Sequence, residues 1–302
     1  MNSSQRPALS GLLLAAAGAV AFSGKAIIVK LSYVYGVDAV TVIMYRMLFA
    51  LPFFMAMGMW AERQAIAREN PLTRRDVIDI VGLGFVGYYL SSYLDFLGLQ
   101  YITASLERLI LYLNPTLVVL LGWAIYKKPI HPIRMVAMAI SYSGVMLVFS
   151  HELSFAGADV ALGSSLVFGS AVSYAVYLLY SGQLVQRIGS LRLVGWATSV
   201  ACVCCIAQFM VLRPLSAAAV PTQVLWLGLL NAVVCTVAPV LMVMMAIERI
   251  GSALAAQTGM IGPMSTIALG VWLLGEPLNA WIGVGTLLVV SGVFIVSKYG
   301  TK

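Results

Sequence analysis

The stretch Ile102 to Pro129, "ITASLERLILYLNPTLVVLLGWAIYKKP", decides the fold, and it occurs in two versions. From Ala104 to Tyr126 it is apolar and long enough to cross a hydrocarbon core about 30 Å thick as a helix. It nevertheless carries Glu107 beside Arg108 and an Asn114-Pro115 pair. Moved along the chain by 148 residues, it falls on "IGSALAAQTGMIGPMSTIALGVWLLGEP", Ile250 to Pro277. Pro115 then meets Pro263, Gly122 meets Gly270 and Pro129 meets Pro277. The register continues without a gap to "SGVMLV" (Ser143 to Val148) against "SGVFIV" (Ser291 to Val296). Coincidences at several separate points indicate an internal duplication.

The rest of the chain has the same texture. Of 302 residues 61% are hydrophobic and 10% charged, where a soluble domain carries about 25% charged residues, and the mean hydropathy is +0.97. Charges collect in short intervals such as "AERQAIARENPLTRRD" (Ala61 to Asp76) and "KKPIHPIR" (Lys127 to Arg134). Between them lie ten apolar runs, near 9–31, 38–60, 77–99, 104–126, 131–150, 161–181, 192–212, 223–247, 252–274 and 280–297. The alternating pattern of a barrel strand is absent, so the expected fold is an all-α integral membrane protein of ten transmembrane helices. The first run, "GLLLAAAGAVAFSGKA", has the basic flank and small residues of a signal peptide, but its apolar pattern continues to Leu31 and it is expected to remain as a span. Cys202, Cys204, Cys205 and Cys235 fall inside spans and read as small apolar fillers.

With the first segment inside, the inner segments hold thirteen Lys and Arg residues, and the outer ones hold Lys30 and Arg213. Both termini are therefore expected on the cytoplasmic side. The same asymmetry accounts for most of the net charge of +7, so no nucleic-acid partner is implied. Each half, residues 1–150 and 151–302, has five spans. Five is odd, so the second half enters the membrane from the opposite side, giving two inverted five-helix repeats. In folds of that kind the solute sits near the midplane between the halves.

Candidate site residues follow from polar groups at membrane depth. Helical spacing groups Tyr89, Ser92, Tyr93 and Phe96 on one face of the third span, and Ser170, Ser173, Tyr174, Tyr177 and Ser181 on one face of the sixth. Such faces suit either a cavity wall, where rings grip a solute and hydroxyls orient it, or close helix packing. Asn114 and Gln257 carry amides that need partners in hydrocarbon. Pro115 and Pro263 read as bending points or as sources of freed backbone carbonyls. Arg46 and Lys25 are intramembrane cations, which usually face a cavity or a carboxylate. In the second half Glu107 and Arg108 become Ala255 and Ala256, so the proline belongs to the repeated scaffold and the charges to one copy. Two readings of the charges stand: snorkelling at the outer headgroups, or an outer gate in which Asp95 contacts Arg108.

At this point the sequence resembles the drug/metabolite transporter superfamily, in its EamA-type branch of ten-helix bacterial permeases. The resemblance rests on Lys30 in "AIIVKL", Arg46 in "MYRMLFAL", Pro115, Pro263, Glu276-Pro277 in "WLLGEP" and "SGVFIV", in that order across nearly the whole chain. The chain departs from the pattern at Lys127-Lys128, where the first repeat would carry a glutamate like Glu276. The resemblance implies a secondary transporter of the bacterial inner membrane that exports small metabolites, amino acids first among them. Efflux of drugs or cationic compounds is the alternative within that class. Outside it stand a membrane-embedded lipid-modifying enzyme and a non-transporting receptor or scaffold.

No enzyme motif supports the enzyme alternative. His131 and His151 border spans, and no HExxH, phosphate loop, GxSxG or carboxylate cluster occurs. No metal or cofactor is expected. The partners expected are a small solute and the bilayer. Ten spans in two halves can enclose a cavity within a single copy, and a dimer is equally compatible.

Overall fold

The computed structural model describes residues 5–64, 71–127, 129–156 and 158–298, and every regular element among them is helical. In chain order these are α1 (Gln5–Val34), α2 (Ala39–Arg63), α3 (Arg74–Gly98), α4 (Ala104–Tyr126), α5 (Pro132–Ala156), α6 (Ala158–Ile188) and α7 (Ser190–Leu212). Helix α8 begins as Thr222–Ala232 and continues through a π-turn into Ala238–Thr258. A single turn, Gly259–Ile261, separates it from α9 (Gly262–Leu274), and α10 is Ala280–Lys298. Eight of these helices are long and apolar enough to cross a membrane, while α9 and α10 are apolar but shorter. The chain is a multi-pass helical membrane protein.

The sequence reading places a connection near residue 250 and a ninth span over 252–274. Instead α8 runs through this point to Thr258. The reason is local: Ala253, Ala255 and Ala256 are strong helix formers, and no proline lies between Pro239 and Pro263. The break falls where Gly259 and Gly262 weaken the helix.

Helix starts are written into the sequence. Asp38 accepts the N–H groups of Val40 and Thr41 to cap α2, Thr73 and Asp76 form a reciprocal capping box on α3, and Thr103 caps α4. Helix α4 is interrupted at Tyr112 and Leu113 and resumes as Asn114–Tyr126. Pro115 therefore does not kink a continuous helix. It occupies a first turn, where the missing N–H has no intrahelical partner to lose. Pro263 does the same in α9. Asn114–Tyr126 and Gly262–Leu274 have 13 residues each, and each ends on a left-handed residue, Lys127 (φ 53°) and Gly275 (φ 68°).

Other features recur at the same spacing. A π-turn occupies Gly84–Leu90 in α3 and another Val233–Val237 in α8, and a shift of 148 residues brings the second inside the first. Helix packing follows suit. Helices α2 and α7 lie together, as do α5 and α10; α3 packs on α6 as α8 does on α1, α4 on α6 as α9 on α1, and α3 on α7 as α8 on α2. At the α5/α10 seam, a Cβ on Gly144 would come within 2.7 Å of the Gly285 carbonyl oxygen, and one on Gly292 within 2.4 Å of the Ala137 carbonyl oxygen. Glycine at these two positions lets the backbones touch, which is how membrane helices gain contact without a hydrophobic drive.

Candidate functional site

A cavity of about 420 Å³ opens where these helices converge, within the range typical of small-molecule sites. Its wall draws on both halves of the chain: Lys25, Arg46, Tyr88, Asp95, Arg108 and Asn114 from α1 to α4, and Ser170, Tyr174, Thr198 and Thr236 from α6 to α8.

Five charged side chains gather here, and all are buried: Lys25, Arg46, Asp95, Glu107 and Arg108 are 0–8% exposed. Charges at such depth must be paired or solvated by a ligand. Lys25 is placed between two carboxylates, its Nζ 2.5 Å from Asp95 Oδ2 and 3.0 Å from Glu107 Oε1. Arg46 donates from Nε to the Thr236 hydroxyl at 3.0 Å, and its guanidinium lies 5.2 Å from the Phe96 ring centre. Arg108 lies 5.1 Å from the Phe22 ring and 6.0 Å from the Tyr112 ring. Its Nε is buried with no hydrogen-bond partner among the described residues, as are Asp95 Oδ1 and Asn114 Oδ1.

The π-turns help shape this wall. Thr236 reaches back five residues to donate to the Asn231 carbonyl at 2.9 Å, and so presents its oxygen to Arg46. The residue 148 positions earlier, Tyr88, also lines the cavity. Its ring meets Tyr177 edge-on at 4.9 Å, and Tyr177 stacks on Tyr174 at 5.6 Å. The Ser173 hydroxyl donates to the Val86 carbonyl within the first π-turn at 2.6 Å. π-turns recur at functional sites because they widen a helix and release backbone groups.

Where the two helix breaks meet, the halves are tied together. The Tyr112 hydroxyl donates to the Gly259 carbonyl at 3.0 Å and the Ser23 hydroxyl to the Gly262 carbonyl at 2.8 Å. A second tie lies at the Ala104 end of α4. There Glu276 accepts the N–H groups of Ala104 (2.7 Å) and Ser105 (3.2 Å) and the Ser105 hydroxyl (2.7 Å). A carboxylate at this place satisfies unpaired donors and opposes the positive end of the helix dipole.

The family resemblance holds across both halves: the EamA-like transporter family matches residues 9–150 and again 161–298. The chain belongs to the EamA-like transporter family. Among its relatives is a Bacillus subtilis protein named as an uncharacterized transporter, YcbK, 29% identical over 307 residues and covering 96% of this chain and 92% of its own. An uncharacterized inner membrane transporter of Salmonella typhimurium, YicL, is 24% identical over 235 residues, 74% of each chain. A solved crystal structure superposes with a TM-score of 0.60 over 97% of this chain and 99% of its own at 16% identity, a likeness of fold alone.

In this EamA-like chain, the residues singled out from sequence whose side chains are described fall into three groups. Arg46, Ser92, Asp95, Arg108, Asn114, Pro115 and Tyr174 line the cavity together. Tyr89 and Tyr93 do not: they stack on each other and pack against the apolar clusters around α2 and α7. Tyr177, Glu107 and Pro263 are buried and do not line the cavity. The Gln257 side chain lies outside the described residues. The expected Asp95–Arg108 contact is replaced, because Lys25 reaches across from α1 and takes Asp95 and Glu107 together. Arg108 does not snorkel to a headgroup either, since it is 8% exposed and faces the cavity.

The sequence reading passed over Tyr88, Thr198 and Thr236. Tyr88 is one position, or about 100° of helix rotation, from the face that carries Tyr89. The matching of 88 with 236 under the repeat was the available signal.

Proposed function

We propose that this EamA-like protein is a secondary transporter of the bacterial inner membrane that exports a small metabolite, an amino acid in the first instance. It works by alternating access between two inverted five-helix repeats, residues 1–150 and 151–302, with both termini in the cytoplasm and one copy sufficient to enclose the solute. The observation that carries the reading is the cavity itself, a largely apolar chamber with a few buried charged and hydroxyl side chains on its wall, which draws on both halves. The mirrored packing of α1/α8 with α3/α6, the repeated π-turns and the two family matches support the inverted repeat. The excess of Lys and Arg on one set of connections supports the orientation. A transport role suits the site better than catalysis, since the buried acids are already tied to Lys25.

Efflux of cationic drugs is the competing reading, and Asp95 together with the tyrosine rings favours it. Against it stand three buried cations and two carboxylates around the same chamber. Counterflow in proteoliposomes with a panel of amino acids, polyamines and cationic drugs tests both. Exchange of at least one amino acid is expected, and exchange of none of the three classes would reject the transport reading.

A further inference from the structure

The cavity's charges do not balance, and the imbalance has an address. Lys25, Arg46 and Arg108 bring three positive charges, and Asp95 and Glu107 bring two negative ones. Lys25 is engaged by both carboxylates. Arg46 gives a hydrogen bond to Thr236. Arg108 meets ring faces, those of Phe22 and Tyr112, and its buried Nε–H donates to nothing among the described residues. Ring faces attract a cation, but they leave the directional N–H donors of a guanidinium unused.

Resting on the transporter reading above, we propose that Arg108 binds the carboxylate of the solute. The solute is a small organic acid with a hydrogen-bond donor beside that carboxylate, an α-amino or α-hydroxy acid. A guanidinium presents parallel N–H groups that match a carboxylate, and one carboxylate removes the one unmatched positive charge. The donor is required by the other unfilled atoms. Asp95 Oδ1 and Asn114 Oδ1 are buried acceptors without partners, and both residues line the same chamber as Arg108. The second half of the chain makes room for this arrangement: a Cβ on Gly262 would lie 2.5 Å from Arg108 Nη2, so the guanidinium occupies space that a side chain would take. A solute that is only a cation would add to the surplus charge.

The test is counterflow by the full-length protein in liposomes, with amino acids, their 2-hydroxy analogues and their decarboxylated amines. At least one acid is expected to exchange while its amine does not, and the amino-acid and hydroxy-acid arms identify which of the two the site takes. Arg108→Gln is expected to raise KM for that acid by roughly 100-fold, and Arg108→Lys, which keeps the charge and loses the fork, by roughly 10-fold. Thermal unfolding in detergent checks that each variant is folded, and the lysine variant decides alone if the glutamine variant is not. An amine exchanged as well as its acid, or an unchanged KM in a folded Arg108 variant, overturns this inference and leaves transport standing. Exchange of no compound, in this panel or with polyamines and cationic drugs, overturns the transport reading itself.

Discussion

Helix α4 and the region 148 residues later make an instructive pair. Asn114–Tyr126 and Gly262–Leu274 have the same length, a proline in the first turn and a residue in the left-handed conformation at the end. Upstream they part. On one side Ala104–Leu111 is a separate helical piece with its own cap, carrying Glu107 and Arg108; on the other, Ala255 and Ala256 lie on a helix that runs unbroken to Thr258. The same holds for the rest of the chamber, where Lys25, Arg46 and Asp95 correspond to Ser173, Val194 and Val243. Geometry is shared by both halves, and charge is confined to one.

That contrast can be broken most directly at Lys25. Lys25→Met leaves two adjacent buried carboxylates without their cation, which is expected to cost about 3–5 kcal/mol. Ser173→Ala at the matching position loses one hydroxyl-to-carbonyl bond, about 1 kcal/mol. Thermal unfolding of the two variants side by side should separate them, and equal losses would mean that the charge cluster is not the asymmetric element.

The shared geometry is tested at the α5/α10 seam. Gly144→Ala and Gly292→Ala each drive a methyl group into a carbonyl of the facing helix, and each should lower stability by about 1–3 kcal/mol. A large loss at one with none at the other would contradict the matched packing.

Glu276→Gln removes the carboxylate from the start of α4 and is expected to cost about 1 kcal/mol. The reverse change at the matching position, Lys128→Glu, should gain nothing, because α8 passes through 252 and presents no helix start there. The smallest effect is at the helix ends. Lys127→Gly relieves a left-handed non-glycine residue and should add about 1 kcal/mol, while Gly275→Ala should remove a similar amount. Denaturation midpoints moving in opposite directions would sharpen the comparison.

Much of the architecture was legible because it depends on short-range pattern. Apolar runs gave the helices, and the alignment of Pro115 with Pro263 gave two matching helix starts, although the prolines were read as bends within spans. What a proline does depends on whether the preceding turn is already broken, and Tyr112 and Leu113 carry no signal of that. The charged cluster was half legible. Arg46 and Lys25 stand at membrane depth in their apolar runs, but Asp95, Glu107 and Arg108 stand near span ends, where burial and headgroup contact read alike, and the pairing is not legible, since Lys25 lies 70 and 82 residues from its two carboxylates. Tyr89 and Tyr93 were chosen over Tyr88 by their helical spacing with Ser92 and Phe96, and which side of α3 faces the chamber is fixed by packing against α2, α6 and α7.

One consequence follows from the packing of α2 on α7 and α5 on α10. Each of these contacts joins an element to its own counterpart, so in the proposed inverted repeat the two-fold rotation relating the halves passes through both seams, and points on a rotation axis stay where they are. In the proposed cycle these seams act as hubs. The contacts α1/α8 and α3/α6 exchange under the same rotation, so they are the pair that trade places, one closing as the other opens.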